Sequence, residues 1–136
     1  MTTGINSGGG PITIEGSISL ESGVVIDTLG EGVAAPVTLI GSINPISTQT
    51  LTINAQSISI SGALGVSQVN LRATSGDISL SSVGSILLSK SFLDAIRGNI
   101  TIDDHTGTGL SLVDTIVEAG LCRRSPSTHC CCRCGN

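Results

Sequence analysis

The chain predicts an all-β fold, a single-stranded parallel β-helix (β-solenoid) of about four to five coils, and three observations predict it. A short phrase, Gly76-Asp77-Ile78-Ser79-Leu80, recurs as Gly10-Pro11-Ile12-Thr13-Ile14, Pro36-Val37-Thr38-Leu39, Gln56-Ser57-Ile58-Ser59-Ile60 and Gly98-Asn99-Ile100-Thr101-Ile102. Its first apolar position moves from Ile12 to Val37, Ile58, Ile78 and Ile100, in steps of 25, 21, 20 and 22 residues. Self-similarity at that period marks stacked repeats, in which each unit buries its apolar face only against the next. Finally, apolar residues alternate with small polar ones, as in a strand with one buried face.

Taken in order, Ile12-Thr13-Ile14, Ile18-Ser19-Leu20 and Val24-Val25-Ile26 read as three short strands, with Gly16 and Gly23 as turn residues between them. The longer first step reflects an inserted loop at residues 27–33. In a later repeat the strand pieces are Ile58-Ser59-Ile60, Leu64-Gly65-Val66 and Val69-Asn70-Leu71. Three such pieces per repeat suit a coil whose strands each pair with their equivalents one coil away, at about 4.8 Å.

Two stretches admit a helix. Ser91-Phe92-Leu93-Asp94 fits a capping-box pattern, and Leu88, Phe92, Leu93 and Ile96 share a helical stripe ending at Gly98, so a short helix is expected near 88–97. In 111–119, Leu112, Val113, Ile116 and Val117 fit either an extra strand pair or a short terminal helix. The domain division is then 1–9 as a disordered N-terminus, 10–120 as the β-solenoid and 121–136 as a disordered Cys-rich tail. No capping unit is recognisable before Gly10.

Composition supports a thin, regular core. Aromatic residues make up 1% of the chain, with Phe92 alone, so Ile, Leu, Val and Ala must fill the interior. Before Leu121, Arg72, Lys90 and Arg97 stand against ten carboxylates, a net of −7. That sign repels phosphate, and bases would find no row of aromatic rings to stack on, so nucleic acid is not an expected partner. Membrane insertion is not expected either, because no apolar run reaches spanning length. Met1-Thr2-Thr3-Gly4 starts no signal peptide, so either export information lies upstream in a longer parent or the chain is not exported.

On the repeated phrases, above all Gly76-Asp77-Ile78-Ser79-Leu80 and Gly98-Asn99-Ile100-Thr101-Ile102, the body over residues 10–120 resembles the repeat regions of large bacterial surface adhesins of the filamentous-haemagglutinin type. The resemblance implies a right-handed parallel β-helix, secreted to the cell surface and associated with the outer membrane, that takes part in attachment. It also implies an internal segment continuous with further repeats, whose partner is a glycan or protein on a host or neighbouring cell.

Candidate sites follow from the same layout. The middle residues of the phrases, Thr13, Thr38, Ser59, Ser79 and Thr101, point outward and form a hydroxyl ladder if the coils stack. Small β-compatible residues on a solvated face account for such a row without a ligand. Asp103-Asp104-His105-Thr106-Gly107 gathers two carboxylates and an imidazole, and it reads as a solvated turn between strands. Asp27-Thr28-Leu29-Gly30-Glu31-Gly32 has a faint likeness to calcium-binding β-roll turns, but occurs once where those need tandem copies. His129, Cys130, Cys131, Cys132 and Cys134 offer soft metal ligands, yet adjacent cysteines do not match the Cys-x-x-Cys spacing that aims two thiolates at one ion. No metal, cofactor or catalytic residue is therefore assigned.

The expected function is a structural and adhesive repeat segment with no chemistry of its own. Two alternatives stand beside it. One is a fragment of a carbohydrate-active β-helix enzyme, a polysaccharide lyase or hydrolase, for which Arg72, Lys90 and Arg97 are the available basic groups and an aromatic platform for sugar rings is missing. The other is a cytoplasmic metal-binding protein that takes up zinc through its tail.

Overall fold

The computed structural model describes residues 4–20, 22–29, 34–45, 50–63, 68–82, 86–104 and 110–120. Every strand pairing in it is parallel, and among the described residues there is no helix. The fold is a parallel β-solenoid of about four turns.

The chain visits three faces in rotation. Strands β1 (Ile5–Asn6), β4 (Val24–Asp27), β7 (Thr50–Ala55), β9 (Gln68–Ala73), β12 (Phe92–Ala95) and β15 (Ile116–Ala119) make a six-stranded sheet in that spatial order. Strands β2 (Ile12–Glu15), β5 (Val37–Ile40), β8 (Ile58–Ser61), β10 (Ile78–Ser82) and β13 (Ile100–Asp104) make a five-stranded sheet. The third face carries two pairs, β3 (Ile18–Leu20) with β6 (Ile43–Pro45), and β11 (Ile86–Ser89) with β14 (Leu110–Val113). At a strand spacing of about 4.8 Å, six strands give a rod about 24 Å tall.

The recurrent phrase is the five-stranded sheet. Its first apolar residues stack as Ile12, Val37, Ile58, Ile78 and Ile100, and its second as Ile14, Leu39, Ile60, Leu80 and Ile102. Leu39, Ile60 and Leu80 are fully buried, as are Leu51, Ile53 and Leu71 across the core on the six-stranded sheet. At the corner where the six-stranded face turns into the five-stranded one, Ala55, Ala73, Ala95 and Ala119 lie in register. The first three of these alanines are fully buried, so a small residue fills the angle of the coil in each winding. The core is thus an aliphatic column, and its period-two pattern is what the alternation foretold.

The strand between residues 88 and 97 corrects the expected helix. Leu88 ends one buried run on β11, and Ser91, Leu93 and Ala95 continue it on β12 and its approach. Between them the chain turns a corner at Lys90, whose φ is 50°. The inward positions therefore run 86, 88, 91, 93 and 95. One three-residue step at the corner imitates helical spacing, although both sides alternate as strands. Ser91 caps no helix: its hydroxyl donates to the carbonyl of Ser89 (3.1 Å) and accepts the backbone N–H of Val69 in the neighbouring winding (3.0 Å). The 111–119 stretch resolves the same way, as β14 and β15 around a second such corner at Asp114 (φ 49°). There Thr115 repeats the device of Ser91, its hydroxyl reaching the carbonyl of Val113 at 3.0 Å.

At the N-terminal end, the stretch 1–9 carries β1, in which Ile5 lies beside Ile26 and Asn6 beside Asp27. The inserted loop is tied down at its base: Thr28 is fully buried, donates its hydroxyl to the carbonyl of Ala35 and takes up the carbonyl of Asn54 through its N–H (3.0 Å). Residues 30–33 and the strand piece expected at Leu64-Gly65-Val66 lie outside the described residues, as does the tail 121–136.

Candidate functional site: two outward faces

Because strands of one sheet are in register, every outward position becomes a column of side chains about 4.8 Å apart. On the five-stranded sheet Thr13, Thr38, Ser59, Ser79 and Thr101 occupy one such column, each directly beside the next. Thr13, Ser59 and Thr101 are exposed, while Thr38 and Ser79 are half-buried. The hydroxyl row predicted from the phrase therefore runs across all five strands of this sheet.

Asp77 stands beside this row. Its Oδ1 accepts the backbone N–H of Asn99, the residue one winding on, at 2.8 Å. Asn99 occupies the same position in the last winding of the sheet, and its own Oδ1 is buried without a hydrogen-bond partner.

The six-stranded sheet presents a different outer surface. One column runs Val25, Thr52, Asn70, Phe92 and Ile116, and the next runs Asn6, Asp27, Asn54, Arg72, Asp94 and Glu118. Here Phe92 faces outward and half-buried, flanked in register by Asn70 on one side and Ile116 on the other. The sole aromatic residue of the chain thus belongs to the outer side of this sheet and not to the core. Around it a shallow groove of about 270 Å³ is lined by Asn54, Asn70, Leu71, Arg72, Phe92 and Asp94. Among the described residues, no hydrogen bond or ion pair engages the side chains of Asn54, Asn70, Arg72 or Asp94.

The basic groups do not gather. Arg72 lies on the six-stranded face, Lys90 at the corner before it and Arg97 at the corner after it. Asp103 is exposed at the end of β13 beside Ser81, while residues 105–107 of that loop are outside the described residues. Asp27 accepts the N–H of Leu29 at 2.7 Å, so its carboxylate closes a local turn, and the rest of the calcium-like phrase from Gly30 is not described. His129, Cys130, Cys131, Cys132 and Cys134 also lie outside, and among the described residues no cluster of three metal-ligating side chains occurs. No helix among them is long and apolar enough to cross a membrane.

No motif singles out Asn54 or Asn70, and the sequence pattern places Phe92 and Asp94 at the start of a helix. One signal was available. Aligning Leu71 with Leu93 places their outward neighbours side by side, Asn70 by Phe92 and Arg72 by Asp94, and shows a polar residue recurring at that position in every winding. Compared with known proteins, the chain matches no family model, no curated protein and no solved structure.

Proposed function

We propose that the chain is a structural and adhesive repeat segment of a large secreted or surface-bound bacterial protein of the filamentous-haemagglutinin type. Its work is done by the length and stiffness of the rod and by the surface it displays, without chemistry of its own, and its partner is a glycan or protein on a host or neighbouring cell. The observation that carries the reading is the uninterrupted stacking of Ile58 on Ile78 and Ile78 on Ile100, with Ser59, Ser79 and Thr101 displayed in register outside it. A repeat whose core is a stacked aliphatic column extends by adding windings, which suits a spacer that holds a binding surface away from its cell.

The test is attachment of beads coated with the purified chain to epithelial cells and to bacterial cells. Saturable attachment above albumin-coated beads is the expected result. Absence of attachment, together with release of reducing or unsaturated ends from a panel of polysaccharides, would replace the reading with a carbohydrate-active enzyme.

A further inference from the structure

We infer that the outer surface of the six-stranded sheet holds a subsite for one uncharged pyranose ring, built on Phe92 with Asn54, Asn70, Arg72 and Asp94 around it. A pyranose has one face of C–H bonds and a rim of hydroxyls that both donate and accept. It is held where an aromatic face meets planar polar side chains of both kinds. The groove supplies that set: the Phe92 ring, two amides that donate and accept, a guanidinium that only donates and a carboxylate that only accepts. At about 270 Å³ it falls just below the usual range of small-molecule pockets, about 300–1,000 Å³, and suits a single ring rather than a buried oligosaccharide.

Register preorganises the site. Asn54, Arg72 and Asp94 come from three successive windings and share one column, while Asn70 and Phe92 share the next. The backbone under all five is held by sheet pairing, so binding orders side chains only, which lowers its entropic cost. Their polar atoms are also not committed to one another, because no hydrogen bond or ion pair among the described residues engages them.

Charge selects the class of sugar. The groove itself holds one carboxylate, Asp94, and one guanidinium, Arg72, and the same column adds Glu118 beside Asp94 and Asp27 two strands from Arg72. Sialic and uronic acids would bring a carboxylate toward that excess, so a neutral hexose or N-acetylhexosamine is the favoured ligand. This deepens the adhesive reading, since the subsite would be one of the contacts by which the rod engages a cell-surface glycan.

The experiment is saturation-transfer NMR on the full chain with galactose, glucose, N-acetylglucosamine, N-acetylgalactosamine, glucuronic acid and sialic acid, each at millimolar concentration. Transfer to the ring protons of at least one neutral sugar is expected. It should fall at least about fivefold in Phe92→Leu, which keeps the apolar bulk and removes the π-face, and in Asp94→Ala, and persist in Glu15→Gln on the other sheet. Circular dichroism confirms that each variant is folded, and Asn70→Ala substitutes for any that is not. Three outcomes overturn the inference: no transfer from any sugar, transfer unchanged in the Phe92 and Asp94 variants, or preference for the acidic sugars. Bead attachment without sugar binding removes the subsite and leaves the adhesive reading, whereas sugar binding without attachment does the reverse.

Discussion

Single residues at the corners hold this structure to narrower tolerances than those in the middle of its strands. Gly41 follows β5 with φ 134°, and its N–H donates to the carbonyl of Ser61 at 2.7 Å. A Cβ there would overlap the carbonyl oxygen of Gly16, the glycine one winding below. Gly8 also has positive φ (62°), yet nothing lies near the place its Cβ would take. Gly41→Ala should therefore cost more than about 3 kcal/mol, combining backbone strain with a backbone clash, and Gly8→Ala about 1–2 kcal/mol from strain alone. Urea unfolding of both variants checks this, and equal losses would mean that the stacked corner does not constrain the coil. At Asp77 the test is chemical: Asp77→Ala should lose about 1 kcal/mol with its bond to the Asn99 N–H, and Asp77→Asn almost none, since an amide oxygen also accepts.

At the scale of the element, each strand is too short to be stable alone and owes its place to the strands it pairs with. Leu80 on β10 lies between Ile60 and Ile102 and is fully buried. Leu80→Ala should cost about 2–5 kcal/mol, read from the denaturation midpoint, because neither adjacent winding can move in to fill the cavity without leaving its own register. The strands of the five-stranded sheet were legible from the chain because their apolar positions repeat at a nearly constant step and their middle residues are small. Strands β11 and β12 were not, because Lys90 adopts a left-handed conformation that adds one residue to the alternation and makes it resemble 3.6 periodicity. The same phase slip hid the groove: with Phe92 placed on a helix, its neighbours Asn70 and Ile116 in adjacent windings were out of view.

For the whole molecule, the contacts are those of a one-dimensional stack in which each winding touches only the next. Amides in the middle windings, such as Ile60 and Leu80, should exchange with deuterium more slowly than those of Asn6 and Val117 near the two ends, by a factor of at least about tenfold. Uniform protection along the rod would instead indicate a single cooperative unit. The overall architecture was readable from the chain because identical chemistry recurs at every level of the stack. The residues that distinguish one level from another, Phe92 and Arg72 among them, follow no period and gain their meaning only once the faces are assembled.

The direction of the sheet hydrogen bonds gives the rod a mechanical character. They run along its long axis, and β1 and β15 lie at its opposite ends. Tension applied through the ends of the stack therefore loads those bonds lengthwise and opens them one layer at a time instead of shearing a whole sheet at once. Each layer released pays out about 20 residues, or about 70 Å of chain, so a stack of such layers lengthens in small steps under a pull.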